Sequence, residues 1–379
     1  MVKRILVTSA GGPAAENVVE NLRIPDEDID IVGCDVDNYL LQLSSVNKKF
    51  LVHSAYDVDN YIRDLNKIIN KEKITMVYPQ SDIEVLVCAI NREVIKAPIC
   101  LPDTRVIQLC QDKGQLYTYL KEKGIAVPEF KLPTANDIRM LCLSESPNYG
   151  IGVWLEDVGK PTEHTRLWDD FYPCWIRARK GAGGNKAYVA NNWHEFRAMT
   201  EFYKSKGEYV EWMLIKYLKG DDLSWTSIWK DGELLTSVLK KRIKWVYNRI
   251  GTTAVQETIV NQQVNEYCES IVKALDPKLT GIMMIDLKQD TDDKKFYITE
   301  INSGRLGTVN LFFGYASRQI YHDDRVNFAY ILTKICHNEP LPKDMLRFNA
   351  LPEHLFWLRH IDMGYKLSYK AKPQDLYTP

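Results

Sequence analysis

A chain of 379 residues, 45% hydrophobic and with a net charge of −1, is long enough for two or three domains and too neutral to have nucleic acid as its main partner. No stretch approaches the roughly 18 apolar residues of a membrane span, and the opening run from Met1 to Val7 reads as a strand, its apolar part too short for a signal peptide. Eight cysteines (Cys34, Cys88, Cys100, Cys110, Cys142, Cys174, Cys268, Cys336) stand singly with no CxxC pair, which predicts buried thiols in a reducing cytoplasm and argues against a zinc site or a cysteine nucleophile.

Up to about residue 105, short apolar runs alternate with helical patterns. Ile5 to Thr8 reads as a strand, followed by the turn Ser9 to Pro13 and a helix through Leu22. Ile31 to Asp35 and Thr75 to Pro79 read as further strands. That order predicts a small parallel α/β sheet. The glycine turn lacks the G-x-G-x-x-G spacing of a dinucleotide site. This argues against nicotinamide, although Asp35 and Asp37 stand where a ribose-binding acid would.

Beyond residue 105 the pattern changes. The run Val106 to Lys113 leads into a helix from Gln115 to Lys123, which ends at Gly124 and Pro128. The segment from there to Tyr172-Pro173, irregular between Ser144 and Thr165, gives no assignable element. The aromatic and acidic residues of 145–172 either line the substrate pocket or belong to a surface insertion, the insertion being the preferred reading. Trp175 to Arg179 is a strand entering the glycine-rich stretch Gly181, Ala182, Gly183 and Gly184. Such backbone can approach a phosphate and cradle its oxygens. The flanking Arg177, Arg179, Lys180 and Lys186 favour that reading over a plain hairpin turn. It is not a Walker A motif, because Lys186 is followed by Ala187.

An apolar strand from Trp212 to Leu218 then runs through Gly220 to the acidic pair Asp221-Asp222, which opens another strand, Leu223 to Trp229. Asp231-Gly232 makes a hairpin turn. The return strand ends in Lys240, Lys241 and Arg242, either a functional cluster or a solvated edge. After a helix from Asn261 to Leu275, the run Gly281 to Ile285 closes on Asp286. The alternating run Phe296 to Thr299 puts Glu300 and Asn302 on one side of a neighbouring strand. Two antiparallel strands would thus present two carboxylates and an amide oxygen. That set suits Mg²⁺, which commonly adds substrate phosphates to a few carboxylates. Arg305 follows closely enough to neutralise a phosphoryl group. The plainer alternative is a solvated hairpin with Asp290 to Lys295 as its charged turn. The remainder, 341–379, reads as an appended tail whose Trp357 packs on the body, with His354 and His360 as ordinary residues.

Taken in order, these motifs resemble the ATP-grasp superfamily, in particular the carbamoyl-phosphate synthase and biotin carboxylase branch of carboxylate–amine ligase type. The matched pieces are Asp112-Lys113, Tyr172-Pro173, Arg177-Ala178 with Gly181 to Gly184, Ile215 to Gly220, Asp286, and Glu300-Ile301-Asn302 with Arg305. They span roughly residues 1–335. The resemblance implies a Rossmann-like parallel sheet over 1–105, the pre-ATP-grasp α/β domain. A two-lobed ATP-grasp fold would follow over 106–340, its lid at about 130–212, and then the appended segment 341–379. The fold class is α/β and α+β.

The resemblance also implies roles. Lys113, Arg177 (a Lys in most relatives) and the Gly181, Ala182, Gly183, Gly184 loop would contact ATP phosphates. The hinge at Ile215, Lys216 and Leu218 would hold adenine through backbone groups, and Asp222 would bind ribose. Asp286, Glu300 and Asn302 would bind Mg²⁺, with Mn²⁺ as a substitute, while Arg305 and Arg242 would hold the phosphoryl group or acyl phosphate. In relatives the Ser9 to Gly12 turn and residues near Ser81 and Glu84 face the acceptor. Three departures stand out: Ile215-Lys216 where relatives carry Glu, Lys186 after the loop, and Ser303-Gly304, which delays Arg305 by one residue.

The implied activity is an ATP- and Mg²⁺-dependent, ADP-forming ligase that joins a carboxylate to an amine or other nucleophile through an acyl phosphate. Alternatives are an ATP-grasp kinase that releases a phosphorylated product, or a non-catalytic nucleotide-binding module. Partners would be small molecules, with no nucleic acid or membrane. A cytoplasmic location and a homodimer fit the family.

Overall fold

A computed structural model describes residues 2–135, 137–138, 170–181, 186–247, 250–308, 310–360, 364–369 and 376–377. In chain order, the first elements are β1 (Lys3–Val7), α1 (Pro13–Arg23), β2 (Ile29–Asp35), α2 (Asn38–Leu43), β3 (Lys48–Leu51), α3 (Val58–Glu72), β4 (Met76–Tyr78), α4 (Asp82–Ile90) and α5 (Thr104–Gln111). The four strands form a parallel sheet in the order β3-β2-β1-β4. Its central strand is buried on both faces, as an α/β layer requires: Ile5, Leu6 and Val7 are each fully inaccessible. Helix α4 begins with a capping box, in which Ser81 and Glu84 satisfy each other's backbone donors.

Next come α6 (Lys113–Glu122), β5 (Phe130–Lys131), β6 (Cys174–Ala178), β7 (Ala187–Ala190), α7 (Trp193–Ser205) and β8 (Trp212–Lys216). These strands make an antiparallel sheet in the order β5-β8-β6-β7. An aromatic core of Phe171, Trp193, Phe196 and Trp212 lies against it. Asp112 caps α6 by accepting from the Gln115 amide, so Lys113 is the first helical residue rather than part of the lead-in to the helix.

The remaining elements are β9 (Asp222–Lys230), β10 (Glu233–Tyr247), β11 (Ile250–Thr258), α8 (Gln262–Leu275), β12 (Gly281–Gln289), β13 (Phe296–Ser303), α9 (Leu311–Tyr321), α10 (Phe328–Cys336), β14 (Leu355–His360), β15 (Gly364–Tyr369) and β16 (Leu376–Tyr377). Their strands form one eight-stranded sheet in the order β13-β12-β9-β10-β11-β14-β15-β16. One core cluster joins Val7, Val18, Ile282, Phe312, Phe328 and Trp357, so both sheets and α1, α9 and α10 share it. The C-terminal segment therefore contributes strands to the sheet. Trp357 does pack on the body, 1% exposed with its ring 5.3 Å from that of Phe312.

The chain divides into two units. Unit 1 comprises Met1–Gln111, Asp221–Lys288 and Ile298–Pro379; unit 2 comprises Asp112–Gly220 and Gln289–Tyr297. The mixed α/β class expected from the sequence is the one observed, a parallel sheet accompanied by antiparallel ones. Of the two plainer readings, the solvated edge gives way and the charged turn holds except at its first residue. Lys240 to Arg242 lie on β10, an interior strand, and Lys240 is fully buried rather than on a solvated edge. The turn after Gln289 is present, with the Asp290 amide donating to the Lys295 carbonyl at 2.9 Å. Asp290 is nonetheless fully buried. Cys34, Cys88, Cys110, Cys174 and Cys268 are free and buried, and burial pushes the Cys110 thiol up to about 12. Cys142 lies outside the described residues. Among the described residues no helix is long and apolar enough to cross a membrane.

Candidate functional site

In unit 2 the candidate groups are placed by a helix cap and a turn. Asp112, 2% exposed, accepts from Arg179 through Nε and Nη2, the shortest contact being 2.8 Å. The Lys113 amide donates to the Arg179 carbonyl at 3.0 Å. Anchored this way, Lys113 sends its Nζ to the Gly181 carbonyl at 2.7 Å. An ammonium thus sits at the entrance to the glycine-rich stretch. Ala182, Gly183 and Gly184 lie outside the described residues. Arg177, 9% exposed, occupies β6 opposite Ala187 and Met213. The other flanking cations have local duties: Arg179 holds Asp112, and Lys186 pairs with Glu208 and lies over the Tyr203 ring.

Ile215, expected from the resemblance at an adenine-holding hinge, lies on β8 between Phe130 and Trp175, and Leu218 is buried. Lys216 sends its ammonium to the turn after β12, where Nζ donates to Asp290 Oδ2 at 2.7 Å. That hydrogen bond raises the lysine pKa. Burial pushes the Asp290 carboxyl up, but the Lys216 contact outweighs it and leaves the group below its usual value. Gly220 is required beside this contact, since a Cβ there would come 1.7 Å from the Gln289 carbonyl oxygen.

In unit 1 the groups are placed by ladder register. Asp286 on β12 faces Ser224 on β9, which faces Lys240 on β10; one step along, Lys288 faces Asp222, which faces Arg242. Alternation puts both rows on one face of the sheet. Arg242 Nη2 donates to Asp286 Oδ1 at 2.6 Å. Burial alone would lower the guanidinium pKa, yet Asp286, Asp222 and Glu300 together hold it above normal. Asp222 also faces Lys288 Nζ at 3.5 Å, but burial keeps its carboxyl pKa raised. Lys241 points to the opposite face and pairs with Asp221 at 2.6 Å.

Lys240 is the β10 member of the first of these rows. It is fully buried, donates to Thr226 Oγ1 at 3.3 Å and stands 4.6 Å from the centre of the Phe313 ring. Burial, with repulsion from Arg242, pushes its pKa down to about 7.

After β13, Gly304 turns the chain at φ +86°. A side chain there would meet Leu101 at 2.9 Å and Val85 at 3.0 Å. The extra residue is absorbed by that left-handed turn. Arg305 then donates to Asn302 Oδ1 at 2.9 Å and pairs with Asp82 at the start of α4.

Asp286, Glu300 and Asn302 supply only oxygen donors, and Asp286 and Asn302 already face guanidinium groups. The oxygens are therefore oriented towards positive charge, and the set fits Mg²⁺. Among the described residues no group of three or more His, Cys, Asp and Glu side chains could hold a metal. The two carboxylates would need ligand oxygens to complete a shell, as nucleotide phosphates provide.

A family model described as the ATP-grasp domain matches residues 110–309, more than half of the chain. The chain belongs to the ATP-grasp family. Solved structures with the same fold include the L-amino acid ligase of Bacillus licheniformis, at 12% identity and a TM-score of 0.63, covering 94% of this chain and 78% of that one. Carboxyaminoimidazole ribonucleotide synthase of Aspergillus clavatus, complexed with ATP, is 14% identical with a TM-score of 0.66, covering 94% and 81%. The biotin carboxylase domain dimer of Hydrogenobacter thermophilus 2-oxoglutarate carboxylase, crystallised with MgADP, ADP and bicarbonate, is 14% identical with a TM-score of 0.62, covering 94% and 74%. At such identities the likeness shows the fold. No curated protein matches the sequence.

Of the residues of this ATP-grasp chain that bear on the site, Lys240 is read from the sequence only as one member of a basic cluster, and Asp82 is not singled out. Period-2 alternation from Arg242 could have placed Lys240 on the same face as that arginine. Nothing in the sequence joins Asp82 to Arg305, since the pair closes across two motifs far apart in the chain.

Proposed function

We propose that this ATP-grasp protein is an ATP-dependent ligase that activates a carboxylate as an acyl phosphate and passes the acyl group to an amine. The observation that carries the reading is the charged row of unit 1, where Arg242 is bound to Asp286 and held charged by Asp222 and Glu300. The structural likeness to a ligase and to proteins crystallised with ATP or MgADP supports it.

Lys113, Arg177 and the Gly181 to Gly184 stretch would neutralise phosphate oxygens, the Ile215 carbonyl and Leu218 amide would hold adenine, and Asp222 would accept from ribose hydroxyls. Asp286, Glu300 and Asn302 would hold Mg²⁺, which when bound screens the negative charge of the triphosphate. A carboxylate oxygen of the substrate attacks the γ-phosphorus. The O–P bond forms as the β,γ-bridging O–P bond breaks, and ADP leaves. An amine nitrogen then attacks the acyl carbon, and phosphate departs with the electron pair of the C–O bond while the nitrogen gives up its proton. Repulsion between anions is the principal barrier, so Arg242 and Arg305 act by positioning and charge neutralisation, and no side-chain nucleophile is needed.

The test is ADP release measured against pools of small carboxylates with and without amines, using Glu300→Gln as control. Carboxylate-dependent ADP and phosphate release, abolished by the substitution, is expected. ADP formed without phosphate, with a phosphorylated product retained, would replace the ligase by a kinase. Full turnover by Glu300→Gln would contradict the assignment of the metal strands.

A further inference from the structure

The parallel sheet of unit 1 runs β1-β2-β3 to one side and places β4 on the other, so its order reverses between β1 and β4. In open α/β sheets ligands settle beyond the carboxyl ends of the strands at such a switch point. Here those ends are locked together. Glu84 Oε2 accepts from Thr8 Oγ1 at 2.7 Å, Ser9 Oγ at 2.6 Å and Ser81 Oγ at 2.9 Å, and from the Ser81 amide at 3.2 Å. That oxygen is saturated and has little capacity for a ligand.

Asp82, next along, is different. Its carboxylate is spent on the Arg305 guanidinium alone among the described polar contacts of its side chain, with side-chain exposures of 36% for the acid and 18% for the arginine. Gln80, 4% exposed, has an Oε1 with no donor among the described residues. The same short turn therefore holds one acceptor without a partner and one carboxylate whose partner is the arginine assigned to the acyl phosphate.

We propose that the acid substrate is an α-amino acid, and that Asp82 is the residue that binds its ammonium group. This rests on the ligase reading above. An α-amino acid carries the same two opposite charges as the Arg305–Asp82 pair, so it can insert between them with no net change of charge. Its carboxylate takes the guanidinium and its ammonium takes Asp82. A simple carboxylic acid would satisfy Arg305 and leave Asp82 facing no cation, an uncompensated carboxylate that disfavours the complex. The pair thus selects zwitterions over their desamino analogues.

The experiment uses hydroxylamine as nucleophile, so that the natural amine need not be known, and reads ATP-dependent hydroxamate and ADP. The probes are the common L- and D-amino acids and their desamino counterparts, such as alanine with propionate and phenylalanine with 3-phenylpropionate. The wild-type protein should turn over at least one amino acid and prefer it to its analogue by about 30-fold in kcat/KM, the scale of a charged hydrogen bond. In Asp82→Asn, and in Asp82→Ser as a second variant, that preference ratio should fall towards one. A parallel loss for both probes would make Asp82 only a support for Arg305 and overturn the proposal. So would an unchanged ratio, or a loss confined to the KM of the nucleophile. Hydroxamate formed from desamino acids but from no amino acid would also overturn it while leaving the ligase reading intact. If no carboxylate reacts although ATP binds, the ligase reading itself fails and the proposal falls with it.

Discussion

The two units hold their charged groups in different ways. In unit 1, Asp286, Asp222 and Arg242 sit on adjacent strands of one sheet, and ladder register alone brings them together. In unit 2, Lys113 and Lys216 are positioned by contacts that run through a helix cap and a hairpin turn. A strand ladder fixes charge in place whether or not a ligand is present. A cap or turn contact has partners that a ligand can replace, because a carbonyl such as that of Gly181 is a weaker partner for an ammonium than a phosphate. On the proposed reading, the difference assigns rigid preorganisation to the strands proposed to hold the metal and adjustable contacts to the turn proposed to hold the phosphates.

The largest expected effect comes from removing one charge from the rigid side. Glu300→Gln should lower turnover by a factor of about 100 or more, on the order of 3 kcal/mol of barrier, with a melting temperature close to that of the parent. A large loss of stability accompanying it would show that the row is a structural ion network instead. Next is Gly220→Ala in unit 2. Its methyl would press on the Gln289 carbonyl, and overpacking against backbone costs about 1–3 kcal/mol. Urea denaturation measures this, and an unchanged midpoint would show that the turn yields.

Lys240 sharpens the comparison through its pH dependence. Its pKa is lowered from 10.5 to about 7 by burial, so between those values the unfolded chain binds more protons than the native one. Stability then rises with pH across that window. Lys240→Met should therefore stabilise the protein at pH 7 by on the order of 1–2 kcal/mol, with the advantage shrinking towards pH 10. Denaturation curves at the two pH values decide it, and a variant less stable than the parent at pH 7 would contradict the reading.

The smallest effect is that of Asp290→Asn. The half-exposed Lys216 keeps the loss near 1 kcal/mol. Because the carboxyl pKa is depressed below 3.8, the contribution is complete above that pH and is lost as the pH falls through the lower native value. The variant and the parent should differ equally at pH 7 and pH 5 and converge only in stronger acid. Convergence already at pH 5 would remove the Lys216 contact as its cause.

Much of this was legible in the sequence where a local pattern has one structural meaning. Alternation after Phe296 put Glu300 and Asn302 on one side, and the apolar run before Asp286 gave its strand. The alternating elements of the first hundred residues gave the parallel sheet. What was not legible depends on chain segments far apart. Sequence spacing could not reveal that β10 is an interior strand, and so Lys240 could not be known as a buried amine. The delay of Arg305 by Ser303-Gly304 takes the form of a left-handed turn at Gly304, and spacing alone does not show that this turn brings Arg305 to Asn302 and Asp82. Asp290 looked like a charged turn residue because its partner Lys216 belongs to another motif. The strands β14 to β16 escaped because short runs near the chain end acquire strand character only by pairing with β11 and with one another.

The most direct test of the magnesium–nucleotide assignment is calorimetric titration of ADP with and without Mg²⁺ on the parent protein and on Glu300→Gln. The account predicts that Mg²⁺ tightens ADP binding at least about tenfold in the parent and that the substitution removes this gain. Equal ADP affinity with and without Mg²⁺ in the parent, or an undiminished gain in Glu300→Gln, would contradict it.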